Sequence, residues 1–136
     1  MNPIYILKVM GEMGMRYRES KIYEILDYTM RMLDNGRVII VYNNDIPYAV
    51  MFFSVTNNTE EFLKKDDWTY KSHDPEGNAI VVEKLIARGW NRQIRLEFES
   101  EIIKKFPNIQ YGVWNKWVKQ GDHTVKSRRR LQNVSN

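Results

Sequence analysis

Hydrophobic positions change their spacing repeatedly between Gly77 and Lys116, and those changes outline the centre of this chain. Ala79 to Ala87 is an apolar run rich in β-branched residues, bounded by Asp74-Pro75-Glu76-Gly77-Asn78 and by Arg88-Gly89. That pattern predicts a strand buried at its middle. From Trp90 the spacing becomes helical: Trp90, Ile94, Phe98 and Ile102 lie four residues apart, and Ile103 and Phe106 widen the stripe. Arg95, Glu97, Glu99, Glu101 and Lys104 take the other face, so one side of the helix packs on a sheet. Pro107 disfavours helical geometry at Phe106, and Ile109 to Trp114 resumes a strand pattern. A strand-helix-strand unit of this kind predicts a parallel pair with a right-handed crossover.

Upstream, Ile4, Leu7, Val9 and Met10 mix helical and strand spacing after Asn2-Pro3, which predicts a short helix or an irregular arm. Ile22, Tyr23, Ile25, Leu26, Met30 and Leu33 form a helical stripe, with Glu19, Lys21, Glu24, Asp27 and Arg31 on the wet side. Asp34-Asn35-Gly36 ends that helix through a left-handed cap. Arg37 to Tyr42 and Ile46 to Thr56 alternate as strands, and Asn43-Asn44-Asp45 between them suits a tight antiparallel hairpin. Thr59 can cap a short helix from Glu60 to Lys65, followed by a surface loop pinned by Trp68 and Tyr70. After Trp114 the strand extends through Lys116 to Lys119, Gly121-Asp122 turns it, and Thr124 to Leu131 returns. The order helix, hairpin, short helix, strand, helix, strand defines an α/β arrangement around one mixed sheet, in one domain spanning residues 1–136 with a basic C-terminal tail.

Composition narrows the chemistry. The chain has 136 residues, 43% of them hydrophobic, which is enough for a real core. No apolar run has the length of a membrane span, and the N-terminus lacks a signal-peptide pattern, so the expectation is a soluble, cytoplasmic protein where it is made. The absence of cysteine excludes thiol nucleophiles, thiolate metal sites and disulfides. His73 and His123 lack helical metal-ligand spacing, and no metal site is expected. Glu60-Glu61 and Asp66-Asp67 flank a polar loop and read as a solvated face rather than paired acid-base groups. Lys126-Ser127-Arg128-Arg129-Arg130 offers charge for phosphates, yet no basic stripe with interleaved aromatics accompanies it.

The order of elements resembles the GNAT acyltransferase fold, a mixed sheet with flanking helices. Within it, Asn2 to Trp114 resembles the RTX-toxin-activating lysine acyltransferases, which move a fatty acyl group from acyl carrier protein to a lysine of a toxin. The resemblance is carried by the Asn2-Pro3 opening, Ser20-Lys21-Ile22-Tyr23, Val38 to Val50 with Pro47, Asp67-Trp68-Thr69, Ile86-Ala87 and Lys104-Lys105-Phe106-Pro107. The family's histidine base and aspartate partner fall on Tyr23 and Lys84, with Glu83 adjacent but expected on the opposite side of the sheet. A phenol with a pKa near ~10 is a poor base at neutral pH, and a lysine cannot orient one. The turn that would cradle pyrophosphate is Arg88-Gly89-Trp90-Asn91-Arg92, where Arg88 and Arg92 can hold an anion and Gly89 can supply a positive φ angle.

The resemblance therefore implies a catalytically silent GNAT-like protein with a structural or assembly role. Similarity to small GNAT-like proteins of short-tailed phages suggests a virion setting. Its partners would be other proteins or further copies of itself, engaged by Trp117 as an amphipathic anchor and by Arg128, Arg129 and Arg130. No cofactor is expected in that reading. The alternatives are a lysine or amine acyltransferase using acyl carrier protein or acyl-coenzyme A, and a nucleic-acid-binding module.

Overall fold

The computed structural model describes residues 2–15, 21–62, 68–89 and 91–113, together with the backbone of 114–117 and 124–130. Asn2 accepts the Ile4 amide through its side chain at 2.8 Å, and Pro3 opens the first turn, where its missing amide costs nothing. The arm is thus a helix, α1, Pro3–Glu12. Helix α2, Ile22–Asp34, buries Ile25, Tyr28, Thr29 and Met32. Tyr23 and Met30, expected in its apolar stripe, face outward, with Tyr23 83% exposed. Thr29 takes an inward place because its hydroxyl donates to the Ile25 carbonyl at 2.7 Å and needs no water.

At the end of α2, Gly36 adopts a φ of 67°. Its amide reaches the Leu33 carbonyl at 3.1 Å, and the Arg37 amide reaches Met32 at 2.8 Å, the paired bonds of a left-handed helix stop. The chain then reverses into β1, Val38–Asn43, and β2, Ile46–Thr56. Asn44 and Asp45 both have positive φ, 51° and 66°, as a two-residue hairpin turn of matching twist requires. A 3-10 turn, Thr59–Glu61, includes Thr59 rather than being capped by it, and the rest of the helix expected to Lys65 lies outside the described residues from position 63.

Strand β3, Ala79–Ala87, pairs antiparallel with β2. Helix α3, Arg92–Lys105, carries the chain to β4, Tyr111–Trp117, which runs parallel to β3. Asn91 caps α3 by accepting the Ile94 amide at 2.9 Å. Strand β5, Thr124–Arg130, pairs antiparallel with β4, so the sheet order is β1-β2-β3-β4-β5. The basic run from Lys126 to Arg130 therefore lies on a strand at the sheet edge rather than in a tail. Trp90, Asp66-Asp67, the Gly121-Asp122 turn, His123 and residues 131–136 lie outside the described residues.

Alternation along the strands divides the core between two faces. Ile39, Val41, Met51, Phe53 and Ile80 meet Ile94, Phe98 and Ile102 of α3. Val50 and Phe52 meet Ile6 and Met10 of α1 and Tyr28 and Met32 of α2. The result is an open mixed sheet with helices on both faces, an α/β protein. Strand β3 is buried at its start, Ala79 to Val81, rather than at its centre. Glu99, expected on the wet face of α3, is buried with its carboxylate 3.9 Å from the Arg95 guanidinium. Among the described residues no helix is long and apolar enough to cross a membrane.

Phe98→Ala and Ile102→Ala each remove a buried side chain from the contact between α3 and the sheet. Each is expected to lower unfolding free energy by about 2–5 kcal/mol. Chemical denaturation at wild-type midpoints would show that α3 is not held by this face.

Candidate functional site

Parallel strands β3 and β4 pair only from Ala79↔Tyr111 to Val82↔Trp114. Both continue beyond that point, β3 to Ala87 along β2 and β4 to Trp117 along β5, so the two part at their C-terminal ends. The cause sits at the next residue. Phe52 pairs with Lys84 and Phe53 with Val82, which leaves Glu83 as an extra residue in a β-bulge. A bulge bends its strand and increases the local twist. In open α/β sheets, the carboxyl ends of strands are where ligands sit.

The bulge also breaks the two-residue alternation that would send Glu83 and Lys84 to opposite faces. Glu83 accepts a hydrogen bond from the Tyr28 hydroxyl of α2 at 3.2 Å. Lys84 places its ammonium 4.9 Å from the ring centre of Trp68, and Trp68 packs edge-on against Tyr28 and Phe52. Consecutive residues thus share the α1 and α2 side of the sheet.

Glu83 is held by Arg37, the residue that follows the glycine stop of α2. The Arg37 side chain is fully buried and that of Glu83 is 4% exposed, with Nη2 to Oε2 at 3.2 Å. Arg37 also donates from Nε to the Phe53 carbonyl at 3.0 Å and from Nη1 to the Lys71 carbonyl at 2.8 Å. Ser54 Oγ lies within hydrogen-bond reach of both partners, donating to Glu83. The Tyr70 ring covers the guanidinium at 4.9 Å. Burying two charges is costly, and it is tolerated here because each has its counter-charge and further hydrogen bonds. Sequence reading placed Arg37 only as the first residue of a strand; the available signal was Arg37 heading one apolar run and Glu83-Lys84 interrupting another.

The loop around His73 closes the opposite end of the sheet, where β3 begins. There the His73 Nδ1 accepts the Val55 amide at 3.2 Å, and the Asp74 amide donates to the Val55 carbonyl at 2.8 Å. Burial lowers the His73 pKa below the ordinary imidazole value, and the Arg37 charge lowers it further against a smaller upward pull from Asp74.

The residues expected to carry chemistry are not assembled here. Tyr23 lies at the surface on the first turn of α2, and no hydrogen bond or ion pair joins it to Lys84 or Glu83. Tyr28, which sequence reading passed over, is the α2 residue that reaches Glu83. Arg88 is tied back to the hairpin, its Nε donating to the Pro47 carbonyl and its amide to the Tyr48 carbonyl. Gly89 does not have the expected positive φ. A Cβ there would stand 2.7 Å from the Tyr48 hydroxyl, the far end of a side chain that can shift aside. Arg92 is exposed on the first turn of α3. Trp117 ends β4, and Arg128, Arg129 and Arg130 lie on β5 opposite Val113, Gly112 and Tyr111. Their side chains lie outside the described residues. Among the described residues no three His, Asp or Glu side chains gather as metal ligands.

A second concavity lies on the other edge. A groove of about 670 Å³ follows the outer side of β1 along residues 38–42 and is walled by Gln93, Glu97, Glu101 and Lys105 of α3. No protein-family model matches this chain, and no curated protein matches it.

With its folded pKa lowered, His73 is neutral in the native protein when the unfolded chain already binds a proton. Its contribution is therefore complete above the unfolded value of about 6.5 and is lost as pH falls through that value toward the folded one. A proton NMR titration is expected to place His73 below the ordinary imidazole range. A midpoint at or above about 6.5 would contradict the burial of this ring.

Proposed function

We propose that this chain is a GNAT-like scaffold without acyl-transfer machinery, serving a structural or assembly role through protein contacts. Support for the scaffold comes from the element order, the parallel β3 and β4 pair joined by α3, and the parting of those strands at a bulge. Support for silence comes from one observation above all. The carboxylate beside the parting, Glu83, is buried, ion-paired with Arg37 and hydrogen-bonded by Ser54 and Tyr28, so it is tied into the core rather than presented to a substrate amine. Tyr23 stands apart at the surface, and Gly89 packs against Tyr48 where a phosphate-binding turn would need an open backbone. The likeness to GNAT-like proteins of short-tailed phages supplies the setting, a virion.

Calorimetry with acetyl-coenzyme A and with acyl-loaded acyl carrier protein is expected to show no micromolar binding, and Tyr23→Phe is expected to change neither stability nor assembly. Micromolar binding of either donor, together with an acyl transfer that Tyr23→Phe abolishes, would replace this reading with the acyltransferase one. Salt-sensitive binding of DNA or RNA that is lost when Arg128, Arg129 and Arg130 are replaced would instead favour the nucleic-acid module.

A further inference from the structure

Strand β1 is the terminal strand of the sheet, and its outer backbone groups have no strand partner among the described residues. Exposed edges recruit other strands unless they carry charge, proline or cover. The sequence of β1, Val38-Ile39-Ile40-Val41-Tyr42-Asn43, contains no charge and no proline. Beside it runs the groove of about 670 Å³. A second, smaller hollow shares Val41, Tyr42, Gln93 and Glu97 with it, so the groove continues to the hairpin end, where Tyr42 is 46% exposed. Residues 38–42 offer about 17 Å of edge, one short strand.

The wall of the groove carries two carboxylates, Glu97 and Glu101, with Lys105 at its far end and Lys104 3.9 Å from Glu101 as an exposed pair that a basic strand can displace. Glu97 and Glu101 stand one helical turn apart, a rise of about 6 Å. Alternate residues of an extended strand repeat at about 6.7 Å, so two basic side chains spaced that way can meet both carboxylates. The opposite edge of the same sheet is β5, whose sequence from Thr124 to Arg130 includes Lys126, Arg128, Arg129 and Arg130. The far side of β5 likewise has no strand partner among the described residues.

We infer that the β1 and α3 groove receives strand β5 of a second copy of this chain, extending the sheet from one molecule to the next through charge-complementary edges. The inference rests on the assembly role proposed above and gives that role its contact. Because two different surfaces meet, the contact is heterologous and builds a ring or an open chain rather than a closed pair. Its ionic part weakens as salt rises.

The test uses the full chain and two variants, with circular dichroism to establish that each is folded. Glu97→Lys/Glu101→Lys spoils the groove and keeps β5; Lys126→Glu/Arg128→Glu/Arg130→Glu spoils β5 and keeps the groove. In sedimentation at low salt, the wild-type chain is expected to self-associate with concentration and to dissociate as salt is raised. Each variant alone should associate on the order of a hundredfold more weakly, the effect of placing like charges together. An equimolar mixture should then recover association, because the two charge reversals again set each groove against a strand of opposite sign. A synthetic peptide of residues 124–130 provides a readout independent of β5 folding: it should bind the wild-type chain and fail to bind Glu97→Lys/Glu101→Lys. A monomeric wild-type chain, variants that associate as the wild type does, a mixture that stays monomeric, or a peptide that does not bind would each overturn the inference. None of these outcomes bears on donor binding, so the silent-scaffold reading stands or falls separately by calorimetry.

Discussion

The ion pair between Arg37 and Glu83 constrains more of this molecule than any other contact described. Arg37 is delivered by the glycine stop of α2, grips the Phe53 carbonyl of β2 and the Lys71 carbonyl of the returning loop, and meets the carboxylate of the β3 bulge. Tyr28 reaches the same carboxylate from the middle of α2. Helix α2, strands β2 and β3 and a loop are therefore tied to two side chains. Removing either partner leaves a buried charge without its counter-charge, which low surrounding polarity makes costly.

That tie explains why the region beside the parted strands is poor in chemistry. The extra residue at position 83 bends β3 away from β4, and its side chain is the group that the ion pair consumes. A carboxylate free in the gap could accept a proton; this one accepts hydrogen bonds from Arg37, Ser54 and Tyr28 instead. The turn before α3 is committed in the same way, with Arg88 bonded to the hairpin and Gly89 filled by Tyr48. The periphery keeps the uncharged outer edge of β1 and, beside it, the Glu97 and Glu101 carboxylates of α3, the second of them 3.9 Å from Lys104. The assembly role proposed above would draw on the edge that the fold leaves open.

Much of this architecture was legible in local sequence. The limits of β2 and β3, the parallel β3 and β4 pair and the Ile94, Phe98 and Ile102 face of α3 follow from period, and the hairpin follows from Asn44 and Asp45. These signals are short-range, so the chain carries them whatever it packs against. The missed features depend on distant partners. Arg37 and Glu83 lie 46 residues apart, and neither residue alone announces that it will be buried. Thr29 displaced Met30 from the inner face because its hydroxyl is satisfied by its own helix. Glu83 and Lys84 share a side because one added residue defeats alternation, and Gly89 faces the hydroxyl of a tyrosine from another strand. The candidate site was less legible than the fold for the same reason: a short local motif drew attention to Tyr23, while Tyr28 makes the contact.

The central claim is that Arg37 and Glu83 act as one structural unit, and a double-mutant cycle on unfolding free energy tests it most directly. Arg37→Met and Glu83→Leu are each expected to cost about 3–5 kcal/mol, because each strands a buried charge. The double variant, which buries no charge, should recover most of that loss and leave a large favourable coupling. Single losses that simply add in the double variant would contradict the account, since two independent residues cannot hold the bulge as a pair.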